Sequence, residues 1–324
     1  MQARNQRWRI PFRFSLRTLM LLVLVTGGTL GWFSLQRQRE AHRKWVIATV
    51  QASNSSIDYD GLGISRILWF GGSANPASLP QKPLTGDEIE ALGSCFRLRE
   101  LMMISSVMTD EGLVALSHDT MLESLYCFKP NITDAGVKHL ANLTALKKLQ
   151  LLRVPELTDA SLAHIAGLSK LEEINLSGTS ITGSGVAHLT AMPGLRSLMI
   201  SSSPLTDEGL ANIGKLTTIR QLYFGWGKYT DAGIANLSKL TNLTNLGFGP
   251  DACTEACLES LAGLKLDTLH IEGPQVSDLW LERIGKMKSL HHVILLGAQV
   301  TDEAIAKLKA SVPETELYIN GRMR

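Results

Sequence analysis

The apolar positions of this chain recur as a block. From Leu98 onward an L-x-x-L-x-L element returns with first positions at Leu98, Leu122, Leu146, Leu171, Leu195, Ile219, Leu243, Leu266 and Leu290. Successive starts lie 24, 24, 25, 24, 24, 24, 23 and 24 residues apart, a regularity that composition does not generate. Leu101 and Met103 after Leu98, and Leu198 and Ile200 after Leu195, alternate as one apolar face of a short strand. Leu113 and Leu116, or Val137 and Leu140, then show the i,i+3 spacing of a helix face. A single unit cannot bury both faces, but stacked units can join strands into a parallel sheet and helices into a second layer. The pattern predicts an α/β fold: a right-handed solenoid with a concave parallel sheet and convex short helices.

The polar positions keep the same register. Thr109-Asp110, Thr133-Asp134, Thr158-Asp159, Thr206-Asp207, Thr230-Asp231 and Thr301-Asp302 mark one boundary, with Thr182-Gly183, Thr254-Glu255 and Ser277-Asp278 as departures. The hydroxyl is expected to cap a helix whose favourable first turn holds the acid. Gly112, Gly136, Gly185, Gly209 and Gly233 share one site, which predicts close helix-to-strand packing.

Together these motifs resemble the leucine-rich repeat family, especially its cysteine-containing and bacterial variants with the pattern LxxLxLxxxxLTDxGLxxLxxL. The fullest statement is LRSLMISSSPLTDEGLANIGKL, residues 195–216, and the resemblance spans about two-thirds of the chain. It implies protein recognition, with peptide or glycan ligands as alternatives. The N-terminal FRFSLRTLMLLVLV, residues 12–25, resembles the start of many planctomycete membrane proteins.

Before the array lies a stretch of another kind. Residues 18–35, TLMLLVLVTGGTLGWFSL, carry no charge, and as a helix approach the roughly 30 Å of bilayer hydrocarbon. No small-x-small cleavage site follows promptly, so a retained signal-anchor is expected. The chain then divides into a basic cytoplasmic tail (1–17), a transmembrane helix (18–35), a linker or N-terminal cap (36–61), a degenerate repeat with an insertion (62–97), nine repeats (98–312) and a C-terminal cap (313–324). Residues 1–50 hold nine Arg or Lys and one Glu, net +8, which leaves 23 basic and 29 acidic residues, net −6, in the body. The basic residues before the span place the tail inside and the repeats outside the cytoplasm. An acidic body does not suit nucleic acid.

Candidate chemistry is sparse. GxSxG, HExxH and GxxxxGK[ST] patterns are absent from the sequence, and neither an enzyme nor a cofactor is expected. His139, His164 and His188 fall at equivalent places, but no acid or thiol completes a shell, so no metal is expected. Cys127, Cys253 and the closing Cys95 take apolar repeat positions, and Cys257 replaces the repeat glycine; all read as buried free thiols.

The outward strand positions offer more. Met102, Tyr126, Gln150, Asn175, Met199, Tyr223, Gly247, His270 and Ile294 form one row; Ile104, Phe128, Leu152, Ser177, Ser201, Gly225, Gly249, Glu272 and Leu296 form the next. The first three repeats gather Met102, Ile104, Tyr126, Phe128 and Leu152, edged by Arg99, Glu100, Lys148 and Arg153. Aromatic anchors ringed by charge suit a protein interface. Cover by the chain's own insertion or N-terminal segment is the alternative. Tyr223 and Trp226 are a secondary candidate. The sequence thus describes a membrane-anchored binding protein of the bacterial envelope, in contact with the bilayer through residues 18–35. Its rivals are a structural surface scaffold, a substrate-recognition adaptor and a non-catalytic peptide or glycan receptor.

Overall fold

The computed structural model describes residues 98–104 and 108–324, the backbone of two strands at 56–60 and 63–70, and helical residues 37, 40, 41 and 44; for Ile104 the description is of backbone alone. The expected span at 18–35, the insertion after residue 70 and Cys95 lie outside the described residues. Among the described residues no helix is long and apolar enough to cross a membrane.

Each L-x-x-L-x-L element forms a short strand. β1 (Ser56–Asp60) and β2 (Gly63–Phe70) are followed by β3 (Glu100–Ile104), β4 (Ser124–Phe128), β5 (Lys148–Leu152), β6 (Glu173–Asn175) and β7 (Ser197–Ile200). The series continues with β8 (Gln221–Phe224), β9 (Asn245–Phe248), β10 (Thr268–Glu272), β11 (His292–Leu296), β12 (Glu316–Ile319) and β13 (Arg322–Met323). They make one sheet in chain order. Pairing is parallel from β2 to β12, as stacked repeats require, while β1 and β13 close the two edges antiparallel. A hairpin strand at each end keeps the repeat strands themselves from being open pairing templates.

The three apolar positions of each strand element face inward. Leu122, Leu125 and Cys127 are buried, as are Leu146, Leu149 and Leu151, and each repeat adds its helical pair, such as Val137 and Leu140. A fully buried leucine contributes about 1.5–3 kcal/mol, so the core is a column whose stability scales with stacked units. Cys127, Cys253 and Cys257 are buried and free.

The second layer departs from uniform α-helix. Helices α1 (Asp110–Leu116), α2 (Asp134–Val137), α3 (Ala160–Ile165), α4 (Asp207–Ile213), α5 (Asp231–Ala235), α6 (Cys257–Leu261), α7 (Asp278–Ile284) and α8 (Asp302–Ser311) are short. Lys138–Asn142 and Asn236–Lys239 continue α2 and α5 as 3₁₀ turns, and Ser184–Ala191 is 3₁₀ throughout. In that last repeat Gly183 stands where the others have Asp or, at residue 255, Glu, and it takes a left-handed φ of 93°.

The Thr-Asp boundary does more than start a helix. Thr109, Thr133, Thr206, Thr230 and Thr301 accept a helix N–H as expected, whereas Ser277 makes no such bond. The acid, however, reaches the next repeat. Asp110 accepts from the Thr133 N–H at 2.8 Å and from its hydroxyl at 2.7 Å. Asp134 does the same with Thr158, Asp207 with Thr230, Asp231 with Thr254 and Asp278 with Thr301. Asp159 gathers the N–H groups of Thr182, Gly183 and Gly185 and the Thr182 hydroxyl.

These carboxylates staple consecutive repeats, and they correct the expectation for the glycines. A Cβ at Gly136 would lie 2.0 Å from Asp110 Oδ1, and one at Gly233 2.2 Å from Asp207 Oδ1. At Gly185 and Gly209 the obstacle is the carbonyl of Asp159 or Thr182. The missing side chain makes room for the neighbouring repeat's Thr-Asp turn, so the close approach is between turns and not between helix and strand. Ser161, at the same place in its repeat, instead donates its hydroxyl to Asp134.

Candidate functional site

The sheet register places the outward residues side by side. Met102 pairs with Tyr126, Tyr126 with Gln150, Gln150 with Asn175, Asn175 with Met199, Met199 with Tyr223, Tyr223 with Gly247, and Gly247 with His270. Ile104, Phe128 and Leu152 form the second row in the first repeats. Two regions of this face hold candidate chemistry. At about 4.8 Å per strand, Tyr126 and Tyr223 stand roughly 20 Å apart.

In the first region Met102, Tyr126, Phe128 and Leu152 are all half-buried. The Ile104 side chain is outside the described residues. Phe128 already has cations: Arg153 lies 5.3 Å and Lys129 5.8 Å from its ring centroid. Both adopt positive φ, 57° and 52°, at the turn that follows their strands. The left-handed turn brings Arg153 back over the preceding repeat's ring.

The predicted charged edge is also engaged within the protein. Arg99 pairs with Glu123 at 3.1 Å, and Glu123 also takes Lys147 at 2.7 Å; Lys148 pairs with Glu173 at 2.9 Å. The Lys147 hydrogen bond holds the Glu123 carboxyl below its ordinary range. Glu100 sits on β3 beside Ser124. Exposed pairs of this kind contribute about 0–1 kcal/mol each. Their effect is to fix where charge sits around the apolar residues.

The second region is a cavity of about 510 Å³ spanning β7 to β10, lined chiefly by Ser201, Tyr223, Trp226, Gly247, His270 and Glu272. Its floor is β9 and the residue that follows it, where both outward positions, Gly247 and Gly249, are glycine. A Cβ at Gly247 would come within 2.4 Å of Tyr223 Cδ1, and one at Gly249 within 2.1 Å of Trp226 Cδ1. Each aromatic ring therefore lies over a glycine of the next strand. Trp226 continues across β9, and its indole N–H donates to the Glu272 carbonyl at 3.2 Å. The Cδ1 and Nε1 atoms of the indole lie against Gly249, yet the residue stays 55% exposed.

Beneath the same loop, buried Tyr229 fixes the backbone. Its hydroxyl contacts the Gly225 carbonyl at 2.7 Å and the Gly249 carbonyl more closely still, so one proton serves two acceptors. Burial raises the phenol's pKa and keeps it protonated. Its ring packs edge-on against Phe224 with centroids 5.2 Å apart. On the far wall His270 is half-buried, and its Nε2 has no hydrogen-bond partner. Burial holds the imidazole below its ordinary range, against the pull of Glu272, so at neutral pH it is uncharged.

Of the proposed site residues, the structure thus brings Met102, Tyr126, Phe128, Leu152 and Arg153 into one group and Tyr223 and Trp226 into another. Gly247, Gly249, His270 and Glu272 complete the second group and were not singled out from sequence. The available signal was a strand with glycine at both outward positions beside a strand bearing aromatics.

Leucine-filled strands, short helices and parallel pairing from β2 to β12 define a solenoid of leucine-rich repeats among the described residues. No protein-family model matches the chain, and no curated protein matches it. Among solved structures it is similar to an internalin (inlF) of Listeria monocytogenes, with 19% identity, a TM-score of 0.47, and coverage of 78% of this chain and 86% of that one. It is also similar to an internalin C2 (inlC2) of the same organism, with 22% identity, a TM-score of 0.41, and coverage of 75% and 87%. The fold assignment rests on the repeat geometry above.

Proposed function

We propose that this protein is a single-pass membrane protein of a bacterial envelope whose solenoid lies outside the cytoplasm and recognises another protein, without catalysis. The observation that carries the reading is the ladder of half-buried Met102, Tyr126, Phe128 and Leu152 on three hydrogen-bonded strands. Rigid strands fix the spacing of these side chains, so a partner meets a preformed surface with little ordering to do. The charge-free residues 18–35 support the anchor, and the basic residues before them support the orientation.

Binding is tested by cross-linking in membranes with the full chain and with Tyr126→Ser/Phe128→Ser, followed by identification of the adducts. The expected result is loss of a specific adduct in a variant that melts like the wild type. Equal recovery of every adduct would overturn this surface. Topology is tested by protease treatment of spheroplasts carrying a C-terminal tag, with permeabilised controls. A tag protected until permeabilisation would refute the external body.

A further inference from the structure

The β8–β10 cavity differs from the first region in one decisive respect: it has aromatic faces and an acid but no cation of its own. Among the described residues, none of those lining it is Lys or Arg, and Glu272 is its one charged side chain. His270 adds no positive charge at neutral pH. Tyr223 and Trp226 supply aromatic rings, and more than half of Trp226 is exposed while its N–H is committed to the Glu272 carbonyl.

Rings present a negative quadrupole above their planes, and a nearby carboxylate adds to it. A planar guanidinium matches both features, because it stacks on an aromatic face while its edge donates to a carboxylate. The geometry points to a subsite for an arginine side chain of a partner polypeptide, stacked on Trp226 and paired with Glu272. Free arginine fits less well, since its carboxylate would find no basic group on the walls and would face Glu272. A neutral sugar could use the rings but would leave the carboxylate without an opposite charge. The site is separate from the Tyr126–Phe128 surface, so it stands or falls independently of that reading.

The test uses the full chain in detergent micelles with ¹⁵N-labelled tryptophan indoles. The Trp226 cross-peak is assigned by its disappearance in Trp226→Phe. The probes are N-acetyl-arginine methylamide, its uncharged citrulline counterpart, free arginine and maltotriose. A saturable shift of the Trp226 peak by the arginine probe is expected, with half-saturation on the order of millimolar for a single side chain. Citrulline should bind about tenfold more weakly, and free arginine more weakly than the capped form. Glu272→Gln should abolish the preference for arginine over citrulline, with thermal melting unchanged. Tyr126→Ser/Phe128→Ser should respond like the wild type. Equal responses to arginine and citrulline, a stronger response to maltotriose, or an undiminished arginine preference in Glu272→Gln would each overturn the proposal.

Discussion

The two candidate regions occupy the same face and the same repeat positions, yet their surfaces are opposite in character. Arg153 and Trp226 both follow the second outward residue of a strand. Arg153 takes a positive φ and folds back over Phe128 of the preceding repeat. Trp226 keeps a negative φ and reaches forward over Gly249 to β10. One turn therefore supplies a ring with its own cation, while the other leaves a ring open beside an acid. A repeat array fixes positions, but the backbone sign at one residue decides which neighbour receives the side chain.

Support beneath the regions differs too. Asp110, Asp134 and Asp159 staple the repeats under the first, and Asp207 and Asp231 those under the second. Between them Gly183 has no carboxylate to offer, and Thr206 bonds the Thr182 carbonyl instead.

The largest effect should come from the clamp under the second region. Tyr229→Phe removes the hydroxyl that serves the Gly225 and Gly249 carbonyls. The Gly249 carbonyl keeps the Asp251 N–H, but the half-buried Gly225 carbonyl loses its hydroxyl partner, a loss of about 1–3 kcal/mol, measurable by urea denaturation. The Trp226 indole N–H should also exchange faster, while residues of β3–β5 keep their protection. Unchanged Trp226 protection would show that the clamp does not hold the cavity.

A slightly smaller loss, about 1–2 kcal/mol, is expected for Asp134→Ala, which strips Thr158 and Ser161 of their acceptor. Because stacked repeats couple chiefly to neighbours and the staple line breaks at Gly183, faster amide exchange should stay on the N-terminal side of that break. Spread of the effect into β8–β10 would contradict independent support. Asp302→Ala, in the last repeat, is the control: Asp302 is highly exposed and lies 3.7 Å from Arg324, so no measurable change is expected.

Two kinds of buried or half-buried acid lie under the first region. Asp119, buried between α1 and β4, is pushed up to about 6 by burial, against a hydrogen bond from the Met121 N–H. Its folded pKa exceeds the unfolded one, so the folded state binds the proton more tightly. Stability should therefore rise as pH falls from above 6 towards 4. Asp119→Asn should remove that rise and stabilise the protein by about 1–2 kcal/mol at pH 7, after allowance for solvent screening.

Asp134 and Asp159 act in the reverse sense. Burial raises them, but the hydroxyl and N–H donors of the next repeat outweigh it and leave both below the ordinary range. Their stabilisation is present above the unfolded carboxylate pKa and is lost as pH falls below about 4. Melting temperatures from pH 3 to 8 should show a maximum that Asp119→Asn flattens on its alkaline side. A monotonic profile in the wild type would refute this assignment.

Apart from the Asp302→Ala control, the smallest effect is expected for Arg153→Ala. Loss of one half-exposed cation–π contact is worth about 0.5–1 kcal/mol. The uncovered Phe128 should increase binding of an apolar dye at the first region only. No change in dye binding would mean that Lys129 alone shields the ring.

Much of the fold was legible in the sequence, because burial acts on each residue separately. Leucines recurring every 23 to 25 residues must share one interior, and period-two alternation then dictates which residues face out. That is why the rows containing Tyr126, Phe128 and Tyr223 follow from the repeat register alone, whereas Trp226, one residue beyond its row, does not.

Tertiary structure decided how neighbouring units touch. Whether Asp110 serves its own helix or Thr133 depends on a residue 23 positions away brought within 2.8 Å. Whether Gly136 and Gly249 are packing sites depends on which side chain lies above them. The Trp226 bond to Glu272 crosses 46 residues and depends on the path of a single turn. Sequence periodicity specifies an average repeat, whereas a site arises where one repeat departs from that average. The consequence of the departure falls on a neighbour that only stacking identifies.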